Sequence, residues 1–246
     1  MVNRTQAIRG NFDFAGPAVI SSFVQGEDAE AVYDEVRETI KEGVCYDKNS
    51  RTMQGSSTFL AARVDSILRS LNKGIRVATL ADLSRPEVMK MVEGNFYSDT
   101  PAIVLRSLED SFKPNNALIT YLIPQIEQKM GRLQLPVLIT GFDVVSSEDK
   151  QGYGLGILLR ADFSVLQDER LSGYDEEKFS TVDKNSLPNF ERNGSRTWHA
   201  RNEGLSRLCL GRDLCLDSGY GDDDLADSDG DGRIVLVRDG NKSKSS

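Results

Sequence analysis

The chain has 246 residues, a formal net charge of −8, and 39% hydrophobic and 28% charged residues. This composition is ordinary for a folded globular protein. It excludes collagen-like and fully disordered chains. A membrane-spanning chain is also excluded, because no apolar run reaches the length of a membrane span. The acidic balance also argues against a general binder of nucleic-acid backbones. We therefore expect an unidentified protein or small ligand as the partner, and no association with a membrane.

The N-terminal stretch and the cysteines bear on location. Residues 12–24 are partly apolar, but charged and turn-forming residues interrupt them, so we interpret them as mature protein and not as a secretory signal. The three cysteines, Cys45, Cys209 and Cys215, are an odd number in a long chain, unlike the disulfide framework of a small secreted domain. Both observations favour a cytoplasmic location.

Two amphipathic helices are predicted in the first third of the chain. Apolar residues recur at steps of three and four across residues 27–42, and Gly43 follows as a stop signal. A second apolar stripe covers residues 59–71, and Ser56 or Ser57 is placed to cap its start. Each helix therefore has a face to bury.

Strands and helices alternate through the middle of the chain. Strands are predicted at residues 75–80, 101–106, 135–145 and 153–161. A short helix that the capping-box pair Ser84 and Glu87 would begin, and a longer helix at residues 115–130, lie between them. The last two strands follow one another through a short polar connection, which favours antiparallel pairing. Such alternation is typical of a layered α/β sheet.

Residues 167–204 are polar and irregular in pattern. We expect a long surface loop or a helical turn there, which would offer a binding surface. The predicted fold class is α/β, a mixed sheet with packed helices followed by a β-rich C-terminal part. We expect an α/β core at residues 1–166, a loop and β-rich part at 167–240 packed on the same core, and a disordered tail at 241–246.

Arginines surround the single tryptophan of the chain. Arg196 and Arg201 flank Trp198, and the only histidine, His199, lies in the same stretch. Guanidinium groups bind phosphates and stack on aromatic rings, so the cluster predicts an anion-binding site at Arg196, Arg201 and Trp198. A solvated surface with internal ion pairs explains the same pattern, and both interpretations stay open. A Ser–His or Cys–His catalytic mechanism would depend on His199, because it is the only histidine of the chain.

Near the C-terminus, Asp227, Asp229 and Asp231 occupy alternate positions before Gly232, and the apolar Ile234 follows. This spacing resembles the first half of the calcium loop of EF-hand and dockerin proteins, in which alternating carboxylates converge on one cation. The resemblance implies Ca²⁺ as a cofactor, with Asp227, Asp229 and Asp231 as metal ligands.

The resemblance ends at the twelfth position of the loop. Arg238 stands where the EF-hand has a bidentate glutamate, and the sequence IVLV predicts a strand where the EF-hand has a helix. Two interpretations remain. One is a cation loop completed by Asp222, Asp223, Asp224 or water, and the other is an acidic turn that needs no metal.

The segment LCLGRDLCL, residues 208–216, predicts a β-hairpin. A three-residue turn at 211–213 would place Leu210 opposite Leu214 and Cys209 opposite Cys215. Such a pair fits either a cross-strand disulfide or two reduced, partly buried thiols.

The sequence contains no complete catalytic motif. We therefore expect a non-catalytic binding or accessory protein with an unknown ligand and a divalent-cation loop near residues 227–231. The alternative is a metal-dependent enzyme acting on a phosphorylated or nucleic-acid substrate, in which aspartates hold Mg²⁺ and the arginines hold phosphate.

Overall fold

The computed structural model describes residues 4–14, 20–149, 151–173, 176–219 and 225–239. The predicted disordered tail and the three aspartates that would complete a cation loop, Asp222, Asp223 and Asp224, lie outside the described residues. The described helices are α1 Arg4–Ala7, α2 Ala29–Arg37, α3 Thr58–Ser70, α4 Leu80–Leu83, α5 Pro86–Val92 and α6 Lys113–Met130, with a 3₁₀ turn at Glu169–Ser172. The described strands are β1 Ile20–Phe23, β2 Cys45–Asp47, β3 Thr52–Gln54, β4 Ile75–Val77, β5 Ser98–Asp99, β6 Ala102–Leu105, β7 Val137–Ser146, β8 Leu155–Gln167, β9 Glu177–Val182, β10 Pro188–Phe190, β11 Arg196–Ala200, β12 Leu205–Ser206, β13 Cys209–Leu210, β14 Leu216–Ser218 and β15 Val235–Arg238.

The described strands form four sheets. The central sheet has the order β12-β6-β7-β8, and the outer sheet has the order β10-β9-β11-β14-β13-β5. A third sheet has the order β1-β15-β4, and β2 pairs with β3 alone. Among the described strands, β11 and β14 pair in parallel and the other pairs are antiparallel. Helices combined with mixed and antiparallel sheets, and strands concentrated in the later part of the chain, confirm the predicted α/β class.

The central sheet contains three of the four predicted middle strands, and the predicted antiparallel pairing of β7 with β8 is confirmed. The fourth, predicted at residues 75–80, is β4, which belongs to the third sheet. Its neighbour there is β15, the strand predicted from the IVLV run.

The central sheet separates two hydrophobic cores, because successive side chains of a strand point to opposite faces. Ile103 of β6 and Ile139 of β7 face the core built with α3 and α6. Their neighbours Val104 and Leu138 face the core that contains Trp198 of the outer sheet. The molecule therefore has α3 and α6 on one side of the central sheet, and the outer sheet together with α4 and α5 on the other.

Strands from the last third of the chain pair with strands from the first half. The strand β12 pairs with β6, β13 pairs with β5, and β15 lies between β1 and β4. The division of the chain at residue 166 stays a prediction.

The predicted second helix is α3, and its cap is confirmed. The Ser57 hydroxyl accepts a hydrogen bond from the backbone N–H of Leu60 at 3.2 Å, which satisfies a donor at the helix start. The predicted capping box at Ser84 and Glu87 is wrong, because the capping box is formed by Thr79 and Asp82 at the start of α4.

The predicted surface loop or helical turn at residues 167–204 is also wrong as a description of that whole segment. After the 3₁₀ turn, the segment forms β9, β10 and β11 of the outer sheet. In β11 the side chains of Arg196, Trp198 and Ala200 are buried and alternate with the half-buried Thr197 and His199. This is the two-residue period of a strand.

The cysteine hairpin forms with a different register. Cys209 lies opposite Asp217 and Leu210 lies opposite Leu216, so the loop contains five residues instead of three. The side chain of Asp213 accepts a hydrogen bond from the backbone N–H of Cys215, which stabilises this longer loop. Cys209 and Cys215 are not bridged, and both are free thiols.

Candidate functional site

A cavity of about 380 Å³ lies between the central sheet, the third sheet and α3. This volume is near the lower end of the range for small-molecule sites. One wall carries charged groups from α3 and β8, another is apolar, and the turn between β9 and β10 contributes residues 184–186. We call this space the central cavity.

A bulge in β8 positions part of the charged wall. Thr140 of β7 pairs with Ser164 of β8, and Phe142 pairs with Leu159. Four residues of β8, 160–163, therefore lie opposite the single residue Gly141. A bulge bends a strand and redirects its side chains. Here it brings Arg160 and Asp162 to the central cavity.

Gly141 permits this bulge. Its φ is +74°, which is in the left-handed region that side chains disfavour. A Cβ at this position would lie 2.5 Å from the backbone oxygen of Asp162. Any larger residue would therefore push the two strands apart where the charged wall is built.

Four side chains form an ion-pair network on the charged wall. Asp65 of α3 is 1% exposed and accepts hydrogen bonds from Arg69 Nε at 2.6 Å and from Arg160 at 2.9 Å. Asp162 pairs with Arg160 at 2.9 Å and with Arg69 at 3.4 Å. The second oxygen of Asp65 accepts the backbone N–H of Val77 at 3.0 Å. We call Asp65, Arg69, Arg160 and Asp162 the ion quartet.

The network shifts the pKa values of Arg160 and Asp162 in favour of their charged forms. Burial by itself lowers the pKa of Arg160, but the hydrogen bond with Asp162 and the charge of Asp65 outweigh burial, so its pKa lies above the ordinary value. The hydrogen bond from Arg160 lowers the pKa of Asp162. Arg160 and Asp162 therefore stay ionised at neutral pH, and two arginines with two aspartates give the quartet no net formal charge.

The remaining lining includes apolar side chains and hydroxyl groups. Ala102, Leu138 and Leu208 are each at least 95% buried and line the cavity. Thr140 and Ser164 are directly paired across β7 and β8, and both line the cavity. A ligand placed here would meet apolar carbons and hydroxyl groups together, as small-molecule sites commonly provide.

The three predicted metal ligands lie on an exposed turn. Asp231 donates its backbone N–H to the Asp229 carboxylate at 2.8 Å, and the backbone N–H of Gly232 donates to the Asp229 carbonyl. The Asp231 carboxylate pairs with Arg212 at 3.2 Å, and Asp227 is exposed. This is the hydrogen bonding of an acidic turn, the second of the two interpretations.

Within the described ranges, no group of three or more His, Cys, Asp or Glu side chains is arranged to hold a metal ion. Calcium binding by Asp227, Asp229 and Asp231 stays a prediction, since Asp222, Asp223 and Asp224 lie outside those ranges.

Two of the predicted anion-binding residues are buried in the outer sheet. Trp198 is fully buried and packs against Phe190, with ring centroids 6.2 Å apart. The Arg196 guanidinium lies 4.6 Å from the ring centroid of Phe179, and its Nε donates to the Leu214 carbonyl at 2.7 Å. Burial lowers the pKa of Arg196 to about 10. The buried ring of Trp198 thus offers no exposed face for stacking.

The third residue, Arg201, donates to the buried carboxylate of Asp110 at 2.8 Å. This is the internal ion pairing that the alternative interpretation of the arginine cluster includes. Anion binding by Arg196, Arg201 and Trp198 stays a prediction.

The sequence predicts none of the central-cavity residues as a site. They come from separate stretches of the chain, so no short spacing links them. The one local signal is Gly141 within the apolar run of β7, because a glycine inside a strand commonly marks a bulge or a close backbone approach.

Comparisons with protein-family models, with curated proteins and with solved structures give no match to this chain. None of the helices among the described residues combines the length and the apolar character that a membrane crossing requires.

Proposed function

We propose that this protein is a non-catalytic binding protein that holds a small organic molecule in the central cavity. The observation that carries the proposal is the cavity itself, about 380 Å³ in volume, with the ion quartet on one wall and buried apolar side chains on another. Concave sites of this size that combine apolar walls with a few placed polar groups are typical of small-ligand binding.

The arrangement of the lining favours binding over catalysis. Its two carboxylates, Asp65 and Asp162, each accept hydrogen bonds from arginines, so both already have partners within the protein. A general acid or base needs a pKa near the working pH, and the pKa of Asp162 is shifted away from it. The described lining residues include no histidine or cysteine. The metal-dependent enzyme stays an untested alternative.

The proposal is tested with N-phenyl-1-naphthylamine, a neutral aromatic amine that becomes fluorescent in apolar sites. We expect saturable binding that weakens about tenfold or more, ~1.4 kcal/mol, when a larger side chain fills the cavity. Ala102→Leu fills it from β6, and Ser164→Trp fills it from the exposed edge of β8.

Ser195→Trp is the matched control, because Ser195 is exposed and lies outside the cavity lining. Thermal unfolding of each variant shows that it is folded, and Ser164→Trp still tests the cavity if Ala102→Leu does not fold. Binding that is absent, or that survives both filled variants unchanged, contradicts the proposal.

A further inference from the structure

We infer that the ligand of the central cavity is an organic monoanion with an apolar body, and that Lys184 with the hydroxyls of Thr140 and Ser164 receives its anionic group. This inference rests on the proposed function, because it names the chemical class of the molecule in the same cavity.

The formal charge of the lining residues is the first argument for an anionic ligand. Three cationic side chains, Arg69, Arg160 and Lys184, and two anionic ones, Asp65 and Asp162, line the cavity, so its formal charge is +1. The chain as a whole carries −8. A positive cavity in an acidic protein favours an anion locally while the rest of the surface repels it.

The excess charge belongs to Lys184. The two arginines are neutralised inside the ion quartet by Asp65 and Asp162. Lys184 is exposed, and its ammonium forms no hydrogen bond or ion pair with any described residue. It is therefore the cation of the lining that is available to a ligand.

The turn that carries Lys184 is fixed in position. The Asp183 carboxylate accepts the backbone N–H groups of Asn185 and Leu187 at 2.8 and 3.0 Å. The Ser186 hydroxyl accepts the backbone N–H of Ala81 at 3.2 Å, which fastens the turn to α4. The backbone of Lys184 is thus held at the cavity while its ammonium stays free, and this preorganisation reduces the entropy lost on binding.

Hydroxyl groups complete the polar end of the site. Thr140 and Ser164 are direct partners across β7 and β8, and neither hydroxyl forms a hydrogen bond with a described residue. Each can donate to an anionic oxygen. A single net positive charge suits a monoanion such as a carboxylate or sulfonate, and the apolar body would rest on Ala102, Leu138 and Leu208.

Two probes with one skeleton test this inference. 1-Anilinonaphthalene-8-sulfonate differs from N-phenyl-1-naphthylamine by its sulfonate group. We expect the anionic probe to bind about fivefold more tightly at low salt, and this preference to shrink as salt screens the charge. In Lys184→Gln the preference for the anionic probe over the neutral probe should disappear, because the unpaired positive charge of the lining is removed.

The matched control is Lys90→Gln, because Lys90 is exposed on α5 and lies outside the lining. It removes the same charge from the protein and should keep the preference. In Thr140→Val/Ser164→Ala the preference for the anionic probe should also decrease, because two hydroxyl donors are removed.

The failures of the two proposals are distinguishable. Equal affinities for the two probes, or a preference that survives Lys184→Gln, overturn the monoanion inference and leave the binding function standing. Neutral-probe binding that is absent or insensitive to the filled cavity overturns the binding function, and the inference with it.

Discussion

Asp65 of α3 and Arg160 of the β8 bulge form an ion pair of 2.9 Å, although 95 residues separate them in the sequence. The pair joins the helical layer to the edge of the central sheet beside the central cavity. Asp65 also accepts the backbone N–H of Val77, so one buried carboxylate fixes α3, β4 and β8 relative to one another. The shape of the cavity therefore depends on this residue.

Replacing Asp65 by asparagine should destabilise the protein by about 1.5 to 3 kcal/mol, the contribution of hydrogen bonds to charged groups. The substitution preserves shape but removes the buried negative charge that two arginines face, and it leaves the half-buried Arg160 with the exposed Asp162 as its acidic partner. Urea unfolding measures the loss. We also expect weaker binding of the neutral probe, because the charged wall of the cavity loses its fixed geometry.

Asp162→Asn is the control within the same quartet. Asp162 is 42% exposed, and exposed ion pairs contribute below about 1 kcal/mol. If both variants lose the same free energy of unfolding, the burial of Asp65 does not determine the strength of the network.

Gly141→Ala should destabilise the protein more than an ordinary glycine substitution at positive φ. The left-handed backbone alone costs about 1 to 2 kcal/mol for a residue with a Cβ. At Gly141 that atom would also lie 2.5 Å from the Asp162 carbonyl oxygen, so we expect a total above about 3 kcal/mol.

Gly154→Ala provides the comparison, because Gly154 has φ +68° and a Cβ there would meet nothing within 4 Å. Unfolding of both variants in urea separates the backbone cost from the steric cost. Similar losses would mean that β8 shifts to accommodate the new atom, and that the bulge does not require glycine.

The helices and strands that could be predicted are those whose sequence pattern lies within one continuous stretch of the chain. The apolar stripe and serine cap of α3 lie within one stretch of sequence, and Ser57 forms the expected cap. The run that forms β7 is long and rich in strand-forming residues. Local pattern fixes such elements because the side-chain period and the cap are properties of neighbouring residues.

The outer-sheet strands β9, β10 and β11 were not predicted, because the charged and polar residues of this segment were given more weight than its two-residue periodicity. Arg196, Trp198 and Ala200 alternate as buried residues, but an arginine beside a tryptophan suggested a polar surface. The Arg196 guanidinium lies against the Phe179 ring. An arginine can bury its stem and stack its planar head, so its presence does not identify a surface strand.

The central cavity was not predictable from spacing at all. Asp65, Thr140, Arg160 and Lys184 meet only through tertiary packing. A bulge changes which side chains face one another without changing composition, so strand alternation gives no sign of its effect. A cation site could be predicted at the acidic turn because its aspartates are close together in the sequence, whereas the cavity residues are not.

Asp99 should give the protein a specific dependence of stability on pH. It is fully buried, accepts the Ser56 hydroxyl at 2.9 Å and lies 3.2 Å from Arg207. Burial raises its pKa to about 6, with Arg207 and Ser56 opposing the shift. In the unfolded chain an aspartate has a pKa of about 3.9.

The folded state therefore holds a proton between about pH 4 and 6 that the unfolded state has released. The contribution of Asp99 to the free energy of unfolding is fully present below about pH 4 and is lost as the pH rises through 6. From pH 5.5 to 7.5 we expect the contribution of Asp99 to the free energy of unfolding to fall by about 0.8 kcal/mol.

Urea unfolding of the wild type and of Asp99→Asn at these two pH values isolates the effect, because the other carboxylates are common to both proteins. The wild type should lose stability relative to the variant as the pH rises. A constant difference, or one of opposite sign, would show that the pKa of Asp99 is not raised by burial.

The acidic turn should be stabilised by Asp229 without any cation. Its carboxylate accepts the backbone N–H of Asp231 at 2.8 Å, so Asp229→Ala should cost about 1 kcal/mol in buffer containing a chelator. Asp227→Ala is the matched control. The Asp227 side chain is exposed and forms no hydrogen bond with any described residue, so its loss should stay within about 0.5 kcal/mol.

Calorimetric titration with Ca²⁺ and, separately, Mg²⁺ then tests the cation loop in the same turn. Heat that disappears in Asp229→Ala/Asp231→Ala would establish a cation site, whose remaining ligands would have to be water or residues outside the described ranges, because no three suitable side chains converge within them. If neither ion releases heat, the acidic turn binds no cation. The loss of stability in Asp229→Ala then shows that the intramolecular hydrogen bond explains the aspartate at this position, since turns select aspartate for that bond.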